Sequence, residues 1–292
     1  FQLTLESFEG KYEGIGIVVA YGEDEIVITG VFNGSPAEEA GIKEGDVILA
    51  VDGVPVSKES GNEFILGIRG ETGTVIELLL LDSQTQQTRS VSVTRQEITS
   101  PSVDYEIIGD IVYIEISRFT DQTDKELETV FKDIEERNLN GILLDLRGNP
   151  GGRVSTVVDV GSRFIMDDLL LFTIVYNDGS SRNYNVVEQE HTTDLPLVVL
   201  VDEFSASGSE VLSGFLQDYN RAIIIGEVTY GKGSVNNLYE LTNGSGLYLT
   251  IARWYTPLGH LIEGQGITPD VETELQGEEL LDWALNYILD NY

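Results

Sequence analysis

In DEFSASGSEV, Asp202 to Val211, serines alternate with small residues between an apolar run and a helical pattern. A serine in such a turn is a candidate nucleophile. The carboxyl edge of a buried strand exposes it, and the free N–H groups of the following helix suit a developing oxyanion. Ala206 and Gly208 leave room for a substrate main chain. The same residues also fit a plain helix cap, in which Ser207 or Ser209 closes the first turn.

A nucleophilic serine needs a base. The chain has two histidines: His191 in the polar stretch EQEHTTD, and His260 after the turn TPLG. Neither stands at a strand end that would orient it, although a Ser–His hydrolase stays open as an alternative. Lys232, in TYGKGSV, is the better candidate. It follows the apolar run RAIIIGE, and adjacent parallel strands bring such loops to one edge of a sheet. A lysine takes up a proton only when neutral, a state that burial or positive neighbours favour. Gly231 and Gly233 fit a main chain pressed into a crowded site. GEVTYGKG nearly matches a phosphate-binding loop, but Gly233 stands where a Mg²⁺-binding Ser or Thr belongs. SVNNLYEL after it alternates like a strand, so an NTPase is set aside. A third stretch, LLDLRGNPGG (Leu143 to Gly152), ends another apolar run. Its turn frees N–H groups to converge on one spot, as an oxyanion hole requires, and fits an ordinary turn equally well.

The elements that would position these loops alternate strand and helix. Ile111 to Ile116, Thr123 to Arg137 and Gly141 to Leu146 read as strand, helix and strand. Leu127, Val130, Phe131 and Ile134 form the helix's apolar face. Leu195 to Asp202 is a strand buried on both faces, Ser209 to Tyr219 a helix and RAIIIGE the next strand. Such repeats imply right-handed crossovers and a largely parallel sheet. The expected fold is an α/β core behind a small β-rich module. In that front module, GIGIVV, EIVITGVF and DVILAVDG read as strands. SPAEEAG and Ser60 to Gly70 read as short helices, with a strand pair at TVIELLLLD and TRSVSVTRQ. The expected division is 1–97, 98–275 and a C-terminal amphipathic helix over 276–292, with the first boundary near ITSPSVD. YEGIGI, Tyr12 to Ile17, is a glycine-flanked loop entering a strand. Its N–H groups can hold a peptide carboxylate while the strand edge accepts the peptide.

Composition narrows the partners. With 17 Lys+Arg against 50 Asp+Glu, the net charge is −33, which argues against nucleic acid and anionic membrane surfaces. No cysteine and two histidines leave no basis for a zinc centre, and no cofactor is expected. No apolar run approaches the roughly 18 residues of a membrane span. The chain opens on Phe1 rather than Met, so an upstream segment is expected to have been removed.

Taken together, the GIGI loop, SPAEEAGIKEGDVILAVDG, IRGETGT, DLRGNPGG, SASGSE and YGKGSV, in that order, resemble the carboxy-terminal processing peptidases. These are Ser–Lys peptidases of family S41 that carry a PDZ domain, with a core similar to Clp peptidase and crotonase. The resemblance covers nearly the whole chain. It implies Ser207 as nucleophile, three residues before Glu210, and Lys232 as general base. It implies an oxyanion hole from Gly208 and a glycine of NPGG, assigned to Gly151 with Gly152 as the alternative. Asn236 stands where relatives carry a polar residue, commonly Gln, that steadies the lysine, and is one methylene shorter. Arg69 matches an arginine that senses PDZ occupancy in some members. Gly14, Ile15, Gly16 and Ile17 would receive the apolar C-terminus of a protein or peptide substrate. Extracytoplasmic localisation follows from the family. Members usually carry helices ahead of the PDZ domain, whereas here the PDZ-like stretch begins almost at the first residue, and a homo-oligomer or an activating partner is left open. A catalytically silent PDZ-type binding protein is the alternative from another class.

Overall fold

The computed structural model describes residues 6, 9–21, 25–56, 64 and 67–292. It divides into two compact units: Lys11–Ser100, and Pro101–Tyr292 with the described residues ahead of Lys11. The first unit runs a little beyond residue 97 because β8 (Gln96–Thr99) pairs antiparallel with β1 (Lys11–Gly14), which keeps both ends of the unit together.

The first unit carries a five-stranded antiparallel sheet of β2 (Ile17–Tyr21), β3 (Ile26–Val31), β4 (Val47–Val51), β6 (Val75–Leu81) and β7 (Thr88–Thr94), with β5 (Val54–Pro55) added to β4. Period-two burial explains it: Ile76, Leu78 and Leu80 point into the core, and Val75 and Glu77 point out. The expected single strand GIGIVV is broken, because Gly16 adopts φ +82 and turns the chain between β1 and β2. The short helix α1 (Pro36–Glu39) starts as expected. Ser35 Oγ accepts from Glu38 N–H, and Pro36 occupies the first turn. The other expected helix, Ser60 to Gly70, falls largely outside the described residues.

The second unit is built on a six-stranded sheet ordered β18 (Val271–Glu272), β15 (Ile223–Gly226), β14 (Leu197–Val201), β11 (Gly141–Asp145), β10 (Ile111–Ile116) and β9 (Val103–Ile108). All its pairings are parallel except β9 with β10. Buried strands alternate between two cores. Leu197, Val199 and Val201 pack with α2 (Thr123–Ile134), α3 (Val154–Ser162) and α4 (Gly208–Asp218). Val198 and Leu200 pack with Leu280, Ala284 and Ile288 of α5 (Gly277–Asn291). Apolar residues on both strand faces therefore call for helices on both sides. A second, antiparallel sheet of β13 (Ser181–Asn185), β12 (Leu170–Tyr176), β17 (Gly246–Tyr255) and β16 (Ser234–Glu240) was not anticipated beyond β16. Phe172 and Trp254 join it edge-to-face to the helix-side core, with ring centroids 4.9 Å apart.

Candidate active site

Ser207 sits where β14 turns into α4, with φ +54 and ψ −108. A serine in this region of backbone space is strained, and such strain collects at functional turns. It is also partly exposed, between neighbours that are all buried: Ser205, Ala206, Gly208, Ser209 and Glu210. The flanking hydroxyls serve the fold. Ser205 Oγ donates to Leu146 O at 2.8 Å and Ser209 Oγ to Asn149 O at 2.9 Å.

Glu210, with no exposed surface, carries the arrangement. Oε2 accepts from the Ser207 N–H at 2.7 Å and from the Lys232 N–H at 2.9 Å. Oε1 accepts from Thr229 Oγ1 at 2.7 Å and the Gly231 N–H at 2.6 Å. One carboxylate thus ties the first turn of α4 to the loop after β15. A further bond, Tyr230 N–H to Ser205 O at 3.0 Å, runs alongside. Burial pushes the Glu210 carboxyl above the usual range, against the lowering effect of these four donors.

The glycines beside Lys232 are pressed as their spacing suggests. A Cβ on Gly233 would lie 2.2 Å from Glu263 N, and Gly231 has φ +84 against the Gly264–Gly266 main chain. The loop is clamped further by Gly264 N–H to Gly231 O, 2.8 Å, and Trp254 N–H to Gly233 O, 2.8 Å. The main chains of Ser207 and Lys232 are brought together. No hydrogen bond joins Ser207 Oγ to Lys232 Nζ among the described residues. Catalytic hydrogen bonds are commonly long or open until substrate binds.

The Asn-Pro-Gly-Gly turn lies against the same serine. Gly151 has φ +95, and a Cβ there would stand 2.8 Å from Ser207 Cβ and 2.7 Å from Gly208 N. Its N–H donates to Asn149 Oδ1 at 2.8 Å. Gly152 and Ser207 together line a cleft of about 350 Å³ with Val154, Val235, Leu238 and Trp254. The Gly152 and Gly208 N–H groups have no intramolecular acceptor among the described residues.

Asn236 also lines this cleft, but not as expected. Its Oδ1 accepts from Thr250 Oγ1 at 2.6 Å and its Nδ2 reaches Ser234, so it makes no bond to Lys232. The shorter side chain is satisfied across the β16–β17 pair instead. The histidines face elsewhere. His191 Nδ1 lies 3.3 Å from Glu135 beyond the end of α2, and His260 Nε2 lies 4.0 Å from Asp218 at the end of α4.

The peptidase family S41 model matches residues 110–273, and the PDZ domain model matches residues 3–81. The chain belongs to peptidase family S41. The Synechocystis carboxyl-terminal-processing protease is 35% identical over 91% of this chain and 63% of its own length. The Picosynechococcus carboxyl-terminal-processing protease is 34% identical over 96% of this chain and 68% of its own length. The carboxy-terminal processing protease CtpA of Bacillus subtilis is 35% identical over 92% and 58%. This S41 chain thus spans about 63% of the length of the first relatives it matches. The solved photosystem II D1 C-terminal processing protease aligns with a TM-score of 0.57 at 30% identity, covering 96% of this chain and 77% of that one. The tricorn protease shares the fold alone, with a TM-score of 0.55 at 18% identity over 96% of this chain and 29% of that one.

The PDZ domain of this S41 chain has its own candidate site at Gly14–Ile17. Ile15 is buried, and its carbonyl accepts from the Ala37 N–H at 2.9 Å. Gly16 packs so closely on Ser35 that a Cβ would come within 2.4 Å of Ser35 Cβ. The Arg69 guanidinium lies over the Tyr12 ring, 4.6 Å from its centroid, one strand ahead of this loop. Sequence reasoning missed two things at the candidate site around Ser207: the four donors converging on Glu210, and Asn149. The signal for Asn149 was a polar residue before Pro in the turn that follows the buried strand β11.

Proposed function

We propose that the chain is a serine endopeptidase that recognises protein C-termini through its PDZ domain and cleaves near them with a Ser207–Lys232 dyad. The observation that carries this reading is the shared acceptor: Ser207 and Lys232 main chains on one Glu210 oxygen, with Ser207 strained beside a substrate-sized cleft. Neutral Lys232 takes the proton as Ser207 Oγ attacks the peptide carbonyl. The tetrahedral oxyanion is received by the Gly208 N–H and, in place of Gly151, the Gly152 N–H. The protonated lysine returns its proton to the leaving amine, and water, deprotonated by Lys232, releases the acyl group. Substrates are protein or peptide chains with apolar C-termini, whose carboxylate docks on the N–H groups of Gly14–Ile17 while the chain pairs with the strand edge. Arg69, which rests on the Tyr12 ring ahead of that loop, is the residue that would sense its occupancy. An extracytoplasmic location is proposed on the family resemblance alone. No helix among the described residues is long and apolar enough to cross a membrane.

The test is cleavage of an unstructured protein ending in apolar residues, with the free carboxylate and as the C-terminal amide. Cleavage that amidation slows at least tenfold supports delivery by the PDZ domain. Equal rates remove that half of the proposal, and binding without cleavage would make the chain a binding module.

A further inference from the structure

Three segments meet behind the catalytic turn, and one buried side chain joins them. Asn149 is fully buried. Its Nδ2 donates to Ile116 O, at the end of β10, at 2.7 Å, and its Oδ1 accepts from the Gly151 N–H at 2.8 Å. Its own carbonyl accepts from the Ala206 N–H and from Ser209 Oγ, both at 2.9 Å, so it grips the nucleophile turn on either side of Ser207. A buried amide with all of these groups partnered holds its neighbours in one arrangement, because each bond lost there leaves a polar group dry and unpaired.

The turn it holds has no slack. Phe119 zips the far side, donating its N–H to Gly151 O at 3.1 Å and accepting from the Arg153 N–H at 3.0 Å. A Cβ on Gly208 would meet Phe119 Cδ2 at 3.2 Å and Gly151 Cα at 3.4 Å. Gly151 therefore cannot shift without moving the nucleophile and its neighbouring amide. Two successive peptides are held here: the one carrying the Gly151 N–H by the Asn149 amide, and the next, which carries the Gly152 N–H, by Phe119 through Gly151 O.

We infer that Asn149 is the positioning residue of the oxyanion site, resting on the proteolytic reading above. By holding the peptide that enters Gly151, it sets the point from which the next peptide, held on its other side by Phe119, turns its Gly152 N–H to the cleft that Ser207 lines. Through its carbonyl, it fixes the distance between that amide and the serine. Asn149 touches no substrate atom. Its effect falls on the transition state, where the oxyanion is formed, and not on docking of the polypeptide.

The test compares Asn149→Ala with the parent in peptide cleavage and in inhibition by a peptide aldehyde, whose hemiacetal oxygen occupies the oxyanion position. The expected result is a kcat lower by about 10²- to 10³-fold, the loss typical of one oxyanion donor. KM stays within a few-fold, and the aldehyde Ki rises by the same factor as kcat falls. A lower yield of folded protein with unchanged Ki in the folded fraction overturns the inference and leaves the dyad standing. An aldehyde that forms no adduct on Ser207 of the parent overturns the proteolytic reading and the assignment with it. If Asn149→Ala does not fold, the parent decides. In ¹⁵N-glycine-labelled protein the Gly152 amide resonance should move on adduct formation, while Gly151 N–H stays protected from exchange. Loss of Gly151 protection, with Gly152 unmoved, contradicts the inference.

Discussion

The main-chain N–H groups of Ser207 and Lys232 donate to the same atom, Glu210 Oε2, at 2.7 and 2.9 Å. The two residues are far apart in the chain, and one carboxylate oxygen makes them neighbours. Replacing Glu210 by Gln turns part of this acceptor into a donor facing donors. Each N–H or O–H left unpaired in that dry site costs about 1–3 kcal/mol, and the losses do not add. We expect Glu210→Gln to lower kcat/KM for peptide cleavage at least about 100-fold, as misplacement of reacting groups commonly does, and to lower the thermal midpoint. Peptide binding to the PDZ domain should be unchanged. A variant with parental kcat/KM would remove Glu210 from the account.

The same residue gives a pH signature. Burial raises the folded-state pKa of Glu210 above its unfolded value, ordinarily about 4.3. Its contribution to stability is therefore full below that value and is lost as pH rises through the raised folded pKa. The stability of the parent relative to Glu210→Gln should fall with rising pH across that window. Denaturant titrations of both proteins at several pH values between about 4 and 8 would reveal it, and a difference that is flat or grows with pH contradicts it.

Gly233→Ala tests the crowding beside Lys232, the proposed base. The added methyl would meet the Glu263 main chain at 2.2 Å, and a backbone neighbour cannot yield as a flexible side chain can. The Lys232 loop must move, so kcat should fall steeply. Gly244→Ala, in the β16–β17 turn at φ +79 with open space around it, costs only backbone strain of about 1–2 kcal/mol and should leave kcat unchanged. Equal effects of the two on kcat would show that the lysine loop is not held by this packing.

Much of this site was legible from local chemistry. Buried strands ending in glycine- and serine-rich turns placed Ser207, Lys232 and the Asn-Pro-Gly-Gly turn at one sheet edge, because strand–helix–strand repeats allow few topologies. What was not legible depends on contacts between segments distant in the chain. The donors on Glu210 come from its own turn and from a loop about 20 residues on, and nothing local marks them. Asn236 looked like support for the lysine until Thr250, its cross-strand partner, occupied its carbonyl. The β16–β17 hairpin carries Tyr239, Leu247, Tyr248 and Leu249 exposed, so its strands lack the clean inside–outside alternation that reveals a sheet.

In the PDZ domain, Gly16→Ala should separate delivery from chemistry. Its φ of +82 and the contact with Ser35 leave no place for a methyl, so the loop that would hold the substrate carboxylate must distort. Fluorescence anisotropy with a peptide ending in apolar residues should show at least tenfold weaker binding, while cleavage of a short peptide that does not need the PDZ domain keeps its rate. Unchanged anisotropy would place C-terminus recognition elsewhere.

The most direct measurement is the initial rate of peptide cleavage by the parent, Ser207→Ala and Lys232→Ala, each checked for folding by circular dichroism. Only the parent should cleave, with both variants folded and reduced by at least about 10³-fold, as for groups that act as a unit. A folded Ser207→Ala or Lys232→Ala protein that cleaves as fast as the parent contradicts it.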